Sequence, residues 1–141
     1  MTLEELDETL PNGLHDAQIK ALTHDYKQAF LKLDVRILVG LPEDAPPDRS
    51  RYRDAVILFN RVLFCAVELP TDERSLRHQG CIWLVFNRMR ADFLPVNLAK
   101  SVSSETLCNS LYILGWESEI HIAAGDVSFS WSDIGEAAAA Q

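Results

Sequence analysis

The residues best equipped for chemistry lie early in the chain. Two histidine–aspartate dipeptides, His15-Asp16 and His24-Asp25, precede His121 and Asp126 far downstream. Imidazole and carboxylate are ligands for a divalent transition metal, and the same pair moves protons in general acid–base catalysis. The spacing works against both uses. Neighbours on a strand point to opposite faces, so neither dipeptide closes on one ion. By parity His15 shares a face with Asp25, and Asp16 with His24, yet an extended strand holds such partners roughly 30 Å apart. A ligand site would need a pocket ringed by His15, Asp25 and His121. The simpler expectation is structural: Asp16 accepts backbone N–H bonds left open by the Pro11-Asn12-Gly13 turn, His15 packs at the strand entry, and Asp25 sits at the strand's far end. On this reading no residue is catalytic, and neither metal nor cofactor is expected.

The remaining candidates are weaker as catalysts. Three cysteines, Cys65, Cys81 and Cys108, stand far apart with no CxxC pair, which argues against a zinc knuckle or a dithiol redox centre. Cys65 and Cys81 lie in apolar runs, where free cysteine packs as a small core residue. The chain has no GxSxG, HExxH or P-loop pattern. Glu117, Glu119 and His121 share one face of a strand, which reads as a solvated outer face. No Lys or Arg follows Lys100, whereas Glu105, Glu117, Glu119, Asp126, Asp133 and Glu136 do. The functional reading of that asymmetry is an acidic face meeting a basic partner, with Trp116 as its aromatic anchor and Glu117, Glu119 and His121 around it.

These residues are carried by a chain of 141 residues with net charge −8, 48% hydrophobic and 24% charged. That suits one globular domain with one core, expected over 1–134, followed by an Ala-rich tail at 135–141 that frays. The acidic balance argues against nucleic acid, whose phosphates need clustered Lys and Arg. No apolar run reaches the length of a membrane span, and the acidic first residues do not resemble a signal peptide, so a cytoplasmic protein is expected.

The elements read as follows. Thr2 and Glu5 have capping-box spacing ahead of Leu3, Leu6 and Leu10, which predicts a short helix over 2–10, stopped by Pro11-Asn12-Gly13. Strand one covers about 15–26, with a bulge or early end near Leu22. Strand two, 29–40, alternates cleanly, with Leu31, Leu33, Val35, Ile37 and Val39 on one face. After a Pro-rich loop, 54–69 reads as one long strand bent at Asn60-Arg61. Cys81–Phe86 is a fourth strand. Residues 91–106 are irregular, and Glu105–Asn109 reads as a helical turn. Leu111–Leu114, Glu117–Ala124 and Val127–Trp131 are strands, with tight connections at Gly115-Trp116 and Gly125-Asp126. The sum is a mainly β, single-domain antiparallel meander of about seven strands, forming a curved sheet or sandwich with a short N-terminal helix.

The Leu14-His15-Asp16-Ala17 opening, its strand pair and the Trp116…Ile120-His121-Ile122-Ala123-Ala124…Val127 pattern resemble small bacterial proteins with an N-terminal "HDA" strand, some grouped with immunity proteins of toxin systems. The resemblance covers about 10–69 and 111–131. It implies a β-rich, non-enzymatic interaction protein and suggests neutralisation of a basic toxin as its task. The alternative from a different class is a small-ligand- or metal-binding β domain.

Overall fold

Helix α1 (Leu3–Thr9) begins as the capping box requires: Glu5 N–H donates to Thr2 Oγ1, and Thr2 N–H donates to Glu5 Oε2. Leu3 and Leu6 are buried, as is Leu10 just past its end. The Pro11-Asn12-Gly13 turn follows, with Gly13 at φ +63°, a left-handed conformation that a side chain would oppose. A Cβ on Gly13 would also fall 2.7 Å from Asp7 Oδ1. That closeness lets Asp7 accept the Leu14 N–H, tying the helix to the turn.

A computed structural model describes residues 1–68, 79–86, 97 and 100–132. Eight strands follow the helix: β1 (Gln18–Asp25), β2 (Phe30–Leu38), β3 (Tyr52–Asn60), β4 (Phe64–Val67), β5 (Cys81–Phe86), β6 (Leu107–Leu114), β7 (Ser118–Ala124) and β8 (Asp126–Trp131). They form one curved, unclosed antiparallel sheet in the order β4-β7-β6-β5-β1-β2-β3-β8. The mainly β, antiparallel, helix-capped architecture read from periodicity is the observed one, as a single curved sheet rather than a sandwich. The expected tail at 135–141, most of the polar connection Pro70–Gly80 and half of 91–106 lie outside the described residues.

The alternation of β2 translates directly into burial. Leu31, Leu33, Val35 and Ile37 are each 0% exposed, and Lys32, Asp34 and Arg36 face outward. Ile57 and Phe59 of β3, Ile82 of β5, Leu111 and Ile113 of β6, and Ile120 and Ile122 of β7 complete the core with the leucines of α1. Strand β1 starts at Gln18, later than the sequence pattern suggests, because Asp16 lies at φ +68° and residues 14–16 are turn. Its register slips between Ile19 and Ala21, a bulge slightly earlier than Leu22. The β1–β2 loop closes with Asp25 Oδ1 accepting the Gln28 N–H and Ala29 at φ +53°.

Two expectations fail. Glu105–Asn109 is not a helical turn: β6 begins at Leu107, and Cys108 and Asn109 pair with Ala123 and Ile122. Gly125-Asp126 is a tight connection but not the hairpin that a meander requires, since β7 and β8 do not pair with each other. A one-residue connection is too short for a two-residue hairpin turn. Instead β7 pairs with β4 and β8 with β3, so two bent segments, 52–67 and 118–131, run antiparallel along both arms. At the bend Asn60 pairs with Asp126 and Phe64 with Ala123, so residues 61–63 stand opposite only 124–125. The extra residue is taken up at Arg61, φ +52°, the bend expected at Asn60-Arg61. Gly125 lets the Arg61 side chain lie across the corner, where a Cβ would meet Nε at 2.3 Å, and the guanidinium pairs with Asp126 at 3.7 Å.

Candidate functional site

The β1–β5 seam holds the His15-Asp16 motif. Asp16 N–H donates to Ile82 O, Ile82 N–H to Ala17 O, and Ile19 N–H to Gly80 O. With Asp16 left-handed, its carboxylate swings back onto its neighbour, and His15 Nδ1 lies 3.1 Å from Asp16 Oδ2. Strand parity would have separated the two side chains; the turn brings them together. Asp16 therefore contributes its amide to the seam, and Asp7, not Asp16, accepts the N–H left open by the turn. His15 packs against exposed Trp83 with ring centroids 4.6 Å apart and the planes tilted by 49°. His24 stacks on Tyr26, and Asp25 closes the hairpin loop. His121 has different surroundings on β7. The pocket imagined around His15, Asp25 and His121 is thus three separate local environments.

The cysteines are half-buried, and burial pushes each thiol above its ordinary value of 9.0, with the Asp16 charge adding to the effect at Cys81. Thiolate is correspondingly scarce at neutral pH, which disfavours nucleophilic use.

The outward side of the sheet divides by charge. Across β1, β2 and β3 it is ion-paired: Lys20–Asp54 at 3.0 Å, Lys32–Asp34 at 3.5 Å and Arg36–Asp54 at 3.6 Å, with Arg36 also over the Tyr52 ring. Across β4, β7 and β6 it carries Glu68, Glu117 and Glu119, and among the described residues no Lys or Arg pairs with any of them. Glu117, at φ +49° in the β6–β7 turn, accepts the Tyr112 hydroxyl in a very short contact. That bond first, then burial and the charges of Glu117 and Glu119, raise Tyr112 above the ordinary phenol value of 10.0. Glu68 follows β4 and is locked to β7: its N–H donates to Glu119 O at 3.0 Å, and its Oε2 accepts the Glu119 N–H at 3.1 Å.

Behind these carboxylates lies His121, 2% exposed although it points to the outward side. Its Nδ1 is 2.8 Å from Ser110 Oγ on β6, and its Nε2 is 3.3 Å from Glu119 Oε2. The Ser110–His121–Glu119 chain has the residue types of a hydrolase relay. Ser110 is itself only 6% exposed, and its hydroxyl is engaged by His121 Nδ1.

Of the residues singled out by sequence, Glu117, Glu119 and His121 come together. Trp116 is half-buried against the core, and its indole occupies the space a Cβ on Gly80 would fill. Glu68, Ser110 and Tyr112 are additions from the structure. Glu68 lies 51 residues before Glu119 in sequence and meets it only through the β4–β7 ladder, a pairing that leaves no local signal. The chain matches no protein-family model, no curated protein and no solved structure.

Proposed function

We propose that the protein is a non-enzymatic interaction module that receives a basic protein partner on the outward face of β4, β7 and β6. The observation that carries this reading is the segregation of charge. One half of the outer sheet is neutralised by its own ion pairs, while the other holds Glu68, Glu117 and Glu119 with no Lys or Arg paired to them among the described residues. Like charges set close together raise the free energy of the lone protein, and cationic groups from outside lower it. Tyr112, held by Glu117, supplies a rigid amphipathic ring beside the carboxylates, the kind of side chain that anchors interfaces. A basic toxin is the partner class that the resemblance to immunity proteins suggests.

The test uses the wild type and a Glu117→Lys/Glu119→Lys variant as baits in a bacterial lysate at low salt. A basic protein retained by the wild type, eluted by rising salt and lost from the variant supports the reading, because exposed pairs are screened over about 8–10 Å near physiological ionic strength. Equal capture of the same protein by both baits refutes it. Rescue of a growth defect caused by that protein, on coexpression with the wild type but not the variant, supports the immunity role.

A further inference from the structure

We propose that Glu68, Glu119 and His121 form a binding site for a divalent transition-metal ion of the Zn²⁺ type. One ligand atom from each residue lies within 4.8 Å of the other two. Around a tetrahedral ion with bonds of about 2.0–2.2 Å, ligand atoms stand about 3.4 Å apart. The 3.3 Å between His121 Nε2 and Glu119 Oε2 already has that span, and a carboxylate oxygen of Glu68 lies within 4.8 Å of the ligand atoms of the other two residues.

The backbone presets the arrangement. Glu119 and His121 are two residues apart on β7, so both side chains leave the same face of the sheet. Glu68 is brought alongside by the paired bonds between its own main chain, its carboxylate and Glu119. The chemistry of the set is selective. Ca²⁺ and Mg²⁺ take oxygen ligands, whereas one imidazole beside two carboxylates suits Zn²⁺, Fe²⁺, Co²⁺ or Mn²⁺.

His121 adds an observation that the carboxylates alone would not. It is buried, and Ser110 engages its Nδ1 from the adjacent strand. In the metal-bound state Nδ1–H donates to Ser110 Oγ, and Nε2 presents its lone pair toward Glu119 and Glu68. A partner on the non-ligating nitrogen that fixes tautomer and ring orientation is the usual support of a metal-binding histidine. Glu68 is exposed, so an ion has a route in from solvent, and water completes its coordination.

The inference does not depend on the basic partner, and its test contains none. Protein freed of metal with a chelator and kept reduced is titrated with Co²⁺ by absorption, then with Zn²⁺ in competition and by calorimetry. The expected result is one equivalent bound, a visible d–d band and no thiolate-to-cobalt charge-transfer band. The Glu68→Gln/Glu119→Gln variant retains hydrogen-bonding oxygens at both positions and should bind at least about tenfold more weakly. Glu68→Gln alone, at an exposed position, keeps the test decisive if the double variant folds poorly. A His15→Asn/His24→Asn variant should bind as the wild type does. Zn²⁺ should also shift the His121 Nε2 resonance in imidazole ¹⁵N spectra, which needs no substitution of this buried ring. Binding weaker than millimolar, unchanged affinity in the Glu68 and Glu119 variants, loss in the His15/His24 variant, or a charge-transfer band from cysteine would each overturn the site. Glu117→Lys separates the two proposals, since it should impair partner capture and leave the Co²⁺ spectrum intact.

Discussion

Replacing Asp7 with Ala tests how the N-terminal helix is fastened to the sheet. Asp7 Oδ1 accepts the N–H of Leu14, a residue with 0% exposure, so removing the carboxylate leaves a donor with little access to water. A hydrogen bond to a charged group contributes about 1.5–3 kcal/mol, and leaving its buried donor open costs in the same range. Two effects oppose the loss. Alanine is the better helix former by up to about 0.7 kcal/mol. Removing a negative charge from the last turn of α1, which has no basic residue there, relieves about 0.3 kcal/mol of unfavourable dipole interaction. The net expectation is a loss of about 0.5–2 kcal/mol. For a chain of this size that lowers the melting temperature by roughly 2–8 °C. Urea unfolding followed by tryptophan fluorescence and circular dichroism, with an unchanged m-value, measures it. Asp7→Asn keeps an acceptor and should recover about half the loss.

The sign makes the experiment decisive. If Asp7 were only a surface residue of a short helix, Asp7→Ala would be neutral or stabilising, and that result refutes the reasoning. Gly13 supplies an internal check, since a Cβ there would lie 2.7 Å from Asp7 Oδ1 and must also adopt φ +63°. Gly13→Ala should therefore destabilise more in the wild type than in the Asp7→Ala background, because only the strain of the positive φ remains when the carboxylate is gone.

Ala29→Gly should stabilise the protein by about 0.5 kcal/mol, since Ala29 lies at φ +53° and the relief of left-handed strain exceeds the added freedom of the unfolded chain; a lower urea midpoint would contradict this. Tyr52, raised by burial and then by the charges of Asp16 and Cys81, and Tyr112, raised first by its bond to Glu117, should ionise above the ordinary value of 10.0 in an ultraviolet titration. Because both folded values exceed the unfolded one, their stabilising contribution is fully present below about pH 10 and lost as pH rises through the folded values; Tyr112→Phe should delete one of the late transitions, and loss of an ordinary transition near pH 10 instead would show that the Glu117 bond is absent in solution.

What the sequence reveals here is what a single element encodes within itself. Thr2 and Glu5 lie three residues apart and cap their own helix, and β2 alternates because its inner side chains meet one core. Arg61 interrupts an apolar run and marks a real bend. The features that escape are made between distant segments. Asn109 and Ser110 look too polar for a buried strand, and periodicity therefore lets β6 begin too late. The strand tolerates them because Ser110 meets His121 across the β6–β7 ladder and the buried hydroxyl has its partner there. Gly125-Asp126 has hairpin composition, but each arm finds its partner more than 50 residues upstream.

The same corner explains why the acidic face exists as a face. A true hairpin at Gly125 would lay β8 beside β7 and occupy the edge that β4 uses. Because the chain bends instead, the segment beyond Asn60 crosses with it, and β4 is delivered to the free side of β7. Only that delivery sets Glu68 against Glu119 and His121. The extra residue at Arg61 also sets which of the β4 side chains face outward, since a one-residue change in register inverts every side chain that follows. Removing the bulge would turn the Glu68 carboxylate to the other side of the sheet and leave Glu119 and His121 without it. The acidic cluster is thus a consequence of one irregularity in the ladder, and it lies at the end of the shortest of the described strands, where a local pattern has the fewest residues in which to announce itself.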